Sequence, residues 1–160
     1  MKLLNKFISK EFISIFLIFL FDRLTKLYVI IKTENNLDQY LFRSKYLNFQ
    51  LIWNEGIAFG LLSFNDNFIY NIITLLILII IVYLIRMLLH STKIEKIAFI
   101  LVIGGAFGNF IDRLIYKSVP DFIDFHYDNF HWFIFNVADI FISLGIIILI
   151  INQVFYEKKN

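Results

Sequence analysis

The chain has 160 residues, enough for one domain, and 59% of them are hydrophobic. Cysteine is absent, which excludes disulfides, thiolate chemistry and cysteine-based metal sites. The formal net charge is only +2, so the positions of the charges say more about the protein than their sum.

Four apolar segments are long enough to cross a membrane, since a hydrocarbon core about 30 Å thick needs a helix of roughly 20 apolar residues. These windows cover approximately residues 12–31, 68–89, 97–116 and 133–151. The sequence therefore predicts an all-α membrane protein, one domain over residues 1–160, with four transmembrane helices. Asp22, Arg23 and Lys26 interrupt the first window, which argues against a cleaved signal peptide.

Lysine and arginine are distributed unevenly around these windows. If the N-terminus is inside, eight flank the inner ends: Lys2, Lys6, Lys10, Arg86, Lys93, Lys96, Lys158 and Lys159. Four lie in the outer segments: Lys32, Arg43, Lys45 and Lys117. Because positive residues favour the cytoplasmic side, this bias predicts that both termini are cytoplasmic.

Two segments, residues 32–67 and 117–132, then lie on the outer side. In the first, Leu47 to Trp53 is rich in apolar and aromatic residues that partly alternate, which predicts a short strand or a surface-lying element. Trp53 and Trp132 fall where interfacial tryptophans are expected, and anchoring is the favoured interpretation of both.

Polar residues of the predicted helices converge at one depth, in or just under the outer leaflet. They are Asp22, Lys26, Asn109, Asp112, Arg113, Asn136 and Asp139, with Asp121 just beyond the third helix. Charged side chains inside a membrane are costly and by default indicate function. Gly104, Gly105 and Gly108 would let the third helix approach a neighbour closely.

Two carboxylates a few ångströms apart cannot both ionise easily, so such a pair supplies the acid and the base that peptide hydrolysis needs. Two of the four candidates have a cation close by in the sequence that could hold them as anions: Asp22 with Lys26, and Asp112 with Arg113. Asp121 and Asp139 have no adjacent cation. On charge grounds they are the better candidates for a pair that shares a proton.

Other chemistries have weaker support. HExxH and GxSxG motifs are absent from the sequence. His126 and His131 lie near Asp121, Asp124 and Asp128, a conceivable metal site, but the spacing is unspecific and solvated or interfacial loop residues are the favoured interpretation. A small proton or cation transporter component using the same acidic cluster is the alternative function. It predicts polar residues through the full membrane depth, whereas the inner halves of the helices are almost wholly apolar.

Four sequence blocks, in this order, resemble the motifs of the bacterial lipoprotein signal peptidases, also called signal peptidase II. They are residues 22–26 (DRLTK, like D-Q-x-[ST]-K), 54–59 (NEGIAF, like N-x-G-x-A-F), 104–113 continued by 119–122 (GGAFGNFIDR and VPDF, like G-G-A-x-G-N-x-x-D-R and V-x-D-F), and 135–139 (FNVAD, like F-N-x-A-D). The resemblance covers nearly the whole chain. Any one block is weak, but four in order are specific.

The resemblance implies an aspartic endopeptidase of the bacterial inner membrane, with its active site near the outer face and with no metal or cofactor. Its partners would be membrane lipids and prolipoproteins already modified with diacylglycerol, cut just before the lipidated cysteine; neither nucleic acid nor an oligomer is implied. Asp121 and Asp139 would be catalytic. Substrate-binding or supporting residues would be Asn54, Gly56, Asn109, Arg113, Asn136, Asp22, Lys26 and Asp112.

The resemblance also implies a small β-cradle on the outer side between the first two helices, and a lid in the second outer segment. Three residues depart from the family pattern. Arg23 stands where glutamine is usual, Lys117 where glycine is frequent, and Pro120 replaces an apolar residue before Asp121. These departures are expected to alter local loop geometry rather than the reaction.

Overall fold

The structure of the chain, a computed structural model, describes residues 2–34, 40–56, 67–128 and 130–157. Four long helices and a small sheet make up these ranges. The helices are α1 (Lys2–Glu34), α2 (Asn67–His90), α3 (Lys93–Tyr116) and α4 (Val137–Glu157). The strands are β1 (Phe42–Arg43), β2 (Leu47–Asn54), β3 (Val119–Tyr127) and β4 (Phe130–Phe135).

Three of the described helices are long and apolar enough to cross a membrane: Tyr70–His90, Lys93–Tyr116 and Val137–Phe155. α1 is long enough, with 33 residues, but it carries Asp22, Arg23 and Lys26 in its middle. Large apolar side chains such as Phe16, Leu76 and Ile147 are exposed on the helix surfaces. Such surfaces suit contact with lipid rather than water.

The sheet differs from the predicted cradle in its extent. β1 and β2 come from the first outer segment as predicted, and Leu47–Trp53 lies within β2. The second outer segment adds β3 and β4, and all four strands pair antiparallel in the order β1-β2-β3-β4. The cradle is therefore built by both outer segments. The prediction that the fourth helix begins near residue 133 is wrong, because Phe130–Phe135 pairs with β3.

α3 is the central helix of the bundle and packs against α1, α2 and α4. Buried apolar side chains of α2 and α3 form its core: Ile81, Leu88, Phe99, Ile103 and Phe110. The predicted close approach at the glycines is confirmed. A Cβ on Gly105 would lie 2.5 Å from the Ala138 carbonyl oxygen, and one on Gly108 would collide with the Asp22 carboxylate.

The structure explains two of the departures from the family pattern, those at Lys117 and Pro120, through the backbone. Lys117 is the C-cap of α3 with φ of 55°, a left-handed conformation that favours glycine. Pro120 pairs with Trp53 of β2, whereas the β3–β4 pairing begins only at Ile123. β3 is therefore an edge strand at Pro120, where a missing N–H donor is tolerated.

We expect Gly108→Ala to destabilise the protein, because Asp22 is fully buried and held by other bonds, so it cannot yield to a new methyl group. Overpacking of this kind costs about 1–3 kcal/mol. Thermal unfolding in detergent measures the loss, and Leu114→Ala, at an exposed position of the same helix, is the matched control. Equal melting temperatures of Gly108→Ala and the wild type would contradict the close packing.

Candidate active site

The predicted polar residues come together where the sheet meets the helix bundle. Asp22 and Lys26 of α1, Asn109, Asp112 and Arg113 of α3, Asp121 of β3 and Asn136 before α4 are all buried. Asp139, in the first turn of α4, lies beside them. Asn54 and Gly56, at the end of β2 and just after it, complete the group. The predicted convergence is therefore present among the described residues.

Asp121 is 2% exposed and receives two amide hydrogen bonds. Asn136 Nδ2 donates to its Oδ1 at 2.6 Å, and Asn54 Nδ2 donates to its Oδ2 at 2.8 Å. β3 positions Asp121 through its pairing with β2, in which Asp121 is opposite Ile52. Each oxygen of this carboxyl group thus has a fixed donor.

Asp139 is held at the N-terminus of α4 by a reciprocal cap. The Asp139 N–H donates to Asn136 Oδ1 at 3.2 Å, and the Asn136 N–H donates to Asp139 Oδ2 at 3.1 Å. This is the geometry of a capping box, with Asn and Asp in place of Ser and Glu. Asn109 Nδ2 donates to the other oxygen at 2.8 Å. Asn136 therefore contacts both carboxyl groups and sets Asp121 beside Asp139.

Three asparagines present N–H groups to the carboxylates because their amide oxygens are already occupied by donors. The oxygen of Asn109 accepts from Lys26 Nζ, which can only donate. The oxygen of Asn136 accepts from the Asp139 N–H, and that of Asn54 from the Gly56 N–H. A reversed amide would point its NH₂ group at that donor and its oxygen at a carboxylate oxygen. The orientation of each amide is therefore fixed.

Beneath the carboxyl pair lies a buried ion cluster. Lys26 Nζ donates to Asp22 Oδ2 at 2.8 Å and to Asp112 Oδ2 at 2.7 Å, and all three side chains are 0% exposed. Arg23 Nη2 donates to Asp112 Oδ1 at 2.5 Å. The prediction that Lys26 pairs with Asp22 is confirmed. Two cations and two anions balance one another in the cluster.

The prediction that Arg113 could hold Asp112 as an anion is wrong, because the partners of Asp112 are Arg23 and Lys26. Arg113, its neighbour in sequence, instead donates to the carbonyl oxygens of Asn109 and Gly56, each at 3.2 Å. Adjacent residues on a helix do not face one another, and that rule could have corrected the assignment. In the sequence, Arg23 stands out only as a charge within the first apolar window and as a departure from a motif. Its pairing with Asp112 across 89 residues left no local signal.

Burial raises the pKa of the Asp121 carboxyl from its ordinary value of 3.8 to about 7, and the nearby charge of Asp139 adds to the effect. Hydrogen bonds from Asn54 and Asn136 oppose the rise. Below about pH 4 the folded and unfolded chains both carry this proton. From about 4 through about 7 only the folded chain keeps it, so rising pH lowers stability across that window.

Two cavities open beside the carboxyl pair. One of about 390 Å³ lies between α2, α3 and α4; its apolar walls include Ile80 and Ile146, and it reaches both Asp121 and Asp139. The second, of about 430 Å³, is lined by aromatic residues of the sheet and by α4, with Asp139 in its wall. A chain that entered either cavity from apolar surroundings would therefore reach at least one of these carboxyl groups.

The chain is similar to a known protein family, to curated relatives and to solved structures. The family model described as "Signal peptidase (SPase) II" matches residues 14–155. A lipoprotein signal peptidase of Pelagibacter ubique (strain HTCC1062) is 48% identical over 98% of this chain and 97% of the relative. One of Francisella tularensis subsp. mediasiatica (strain FSC147) is 39% identical over 94% of this chain and 95% of the relative.

A solved structure of a bacterial membrane enzyme, determined by the in meso method at 2.3 Å resolution, superposes with a TM-score of 0.72. It shares 34% identity and covers 92% of this chain and 89% of its own. The fold is thus that of a multi-pass membrane enzyme. The chain belongs to the signal peptidase II family, which makes it a protease and leaves the transporter alternative without support.

Infrared spectroscopy can test the protonation of Asp121 directly. We expect the wild type to show a protonated-carboxyl band that is lost as the pH passes about 7, and Asp121→Asn to lack this component. Asp128→Asn, at an exposed turn position, is the control and should keep it. Asn54→Ala removes a bond that favours the charged form, so its midpoint should move to higher pH. A wild-type spectrum with no such band at pH 5 would contradict the protonated state.

Proposed function

We propose that this protein is an aspartic endopeptidase that removes the signal peptide from diacylglyceryl-modified prolipoproteins, cutting just before the lipidated cysteine. Asp121 and Asp139 are its catalytic residues. The observation that carries the proposal is the contact of Asn136 with both carboxyl groups, which holds the two side by side at the end of the apolar cavities. The curated relatives named above are lipoprotein signal peptidases.

The pair supplies both proton transfers that amide hydrolysis needs. In the form of the pair that carries a single proton on Asp121, the Asp139 carboxylate takes a proton from water as the water oxygen attacks the scissile carbonyl carbon. Asp121 gives its proton to the carbonyl oxygen, so the intermediate is a neutral diol. When the C–N bond breaks, the proton held by Asp139 passes to the leaving nitrogen. A proton from the diol restores Asp121.

The cavities match the two parts of such a substrate. The cavity between α2, α3 and α4 would take the apolar signal peptide, and the aromatic cavity would take acyl chains; Asp139 borders both. Arg113 and Asn54 also line the first cavity and would hold the peptide backbone near the carboxyl pair. Each buried methylene of a lipid anchor contributes about 0.8 kcal/mol, which keeps the scissile bond at this depth.

We expect Asp121→Asn and Asp139→Asn each to lower cleavage of a diacylglyceryl-modified prolipoprotein by about a hundred- to ten-thousand-fold, the usual contribution of a general acid or base. The assay compares purified variants with the wild type, after circular dichroism has shown that they are folded. Asp128→Asn is the matched control, since Asp128 is an exposed residue in the turn between β3 and β4.

Asp112→Asn completes the comparison. Asp112 contacts Lys26 and Arg23 rather than the carboxyl pair, so this variant is expected to lose stability but to retain cleavage. If Asp112→Asn folds without cleaving while Asp121→Asn cleaves normally, Asp112 and not Asp121 is the partner of Asp139.

We further propose that all four helices cross the bacterial inner membrane, with both termini in the cytoplasm and the sheet at the outer face. The positive-residue bias supports this orientation. The sheet and the carboxyl pair lie at one end of the bundle. Away from that end, near the start of α3, a Lys96–Glu11 ion pair of 3.5 Å joins α3 to α1. Sheet residues can then receive water and exported substrate.

The absence of cysteine makes this orientation simple to measure by labelling single introduced cysteines. In spheroplasts, a membrane-impermeant thiol reagent should label Lys45→Cys, in the β1–β2 turn, but Lys93→Cys, at the start of α3, only after lysis. Both positions are exposed, so a difference in labelling reports the side of the membrane on which each position lies. The reverse labelling pattern would invert the proposed topology.

A further inference from the structure

The sheet carries a second cluster of ionisable side chains, separate from the carboxyl pair: Asp124, His126 and His131. Asp124 and His126 are two apart on β3, so their side chains share a face of the strand. His131 on β4 is the direct cross-strand partner of His126, and their rings stack with centroids 5.3 Å apart. One ligand atom from each of the three residues lies within 4.8 Å of the others.

Asp124 is a buried carboxylate in need of a positive partner. It is 0% exposed, and two neutral amides, those of Asn48 and Gln50, donate to its Oδ2 at 3.3 and 3.1 Å. His131 Nδ1 lies 2.9 Å from both carboxylate oxygens. Among the hydrogen-bond partners in the described part of the chain, only His131 can carry a positive charge. The expectation of a solvated loop residue is therefore wrong for Asp124.

His126 adds an unexplained group to the same cluster. Its Nδ1 is buried and has no hydrogen-bond partner within the residues that the structure describes. A buried ring nitrogen without a partner is rare, and an unrecorded ion is one of its known causes. This nitrogen belongs to a side chain of the three-residue cluster.

We propose that Asp124, His126 and His131 bind a divalent first-row transition-metal ion, with Zn²⁺ as the best match. Two imidazoles and one carboxylate are ligands that Zn²⁺ favours, and a water molecule would complete four-coordination. Bond lengths near 2.1 Å place tetrahedral ligand atoms about 3.4 Å apart, so the side chains need to close by only about 1 Å. His131 is 47% exposed and gives the ion a route of entry.

The bound ion would join β3 to β4 and place a positive charge beside the buried Asp124 carboxylate. Asn48 and Gln50 would hold the carboxylate in place for it, as polar groups behind metal ligands commonly do. His131 also lines a cavity of about 350 Å³ together with Asp121, so the ion would lie in the wall of that cavity. Its role would be to stiffen the sheet, and the proposed hydrolysis does not require it.

The test is titration of the purified full-length chain, without a histidine tag and after chelation, with Zn²⁺ by calorimetry and by thermal unfolding. We expect one equivalent to bind and the melting temperature to rise. His126→Gln and His131→Gln should each weaken binding by at least about tenfold and abolish the rise. His90→Gln is the matched control, because His90 is exposed at the end of α2 and remote in sequence from the cluster. It should bind as the wild type does.

Co²⁺ provides a readout that does not depend on the folding of any variant. The wild type with one equivalent of Co²⁺ should show the intense visible absorption of a four-coordinate ion with nitrogen ligands, and Zn²⁺ should displace it. A weak spectrum like that of aqueous Co²⁺ would overturn the site. So would the absence of saturable Zn²⁺ binding, or binding lost equally in His90→Gln. Asp124→Asn, a near-isosteric change, gives a third variant if either histidine variant fails to fold.

Discussion

The charge of Lys26, buried in the bundle, is the interaction on which the rest of the site depends. A lysine this deep is tolerated only because Asp22, Asp112 and Asn109 take all three of its protons in hydrogen bonds. These partners lie on α1 and α3, so the ammonium group joins the two helices. Asp22 extends the link to α4 by accepting from the Ala138 N–H at 2.9 Å. One cation thus fixes three helices at the depth of the carboxyl pair.

That cation also fixes the orientation of Asn109, which donates to Asp139, one of the two proposed catalytic residues. Lys26 Nζ can donate hydrogen bonds but cannot accept them. Asn109 must therefore turn its side-chain oxygen toward Lys26 and its NH₂ group toward Asp139. Gly108 is required one residue earlier, because any side chain there would displace Asp22. Arg23 balances the second carboxylate of the cluster. The polar groups below the carboxyl pair therefore hold Asn109, one of its hydrogen-bond donors, in place.

The sequence could predict the helices and the membership of the site, because apolar length and rare intramembrane polar residues are local signals. It could not predict which cation pairs with which carboxylate. Asp112 is paired with Arg23 from 89 positions away, while the adjacent Arg113 faces elsewhere. The full extent of the sheet could not be predicted either, because it too depends on pairing that leaves no local signal. Phe130–Phe135 is apolar enough to continue a helix, and only its pairing with β3 makes it a strand.

Asn136 is important because the two carboxyl groups are carried by different kinds of element, a strand and a helix. Asp121 is carried by the sheet, whereas Asp139 is carried by a helix that other helices hold in place. Asn136 lies at the junction of β4 and α4 and bonds to both, so their separation depends on how the sheet rests on the bundle. Any ion that stiffens β3 against β4 would act on the same junction, because Asn136 directly follows β4.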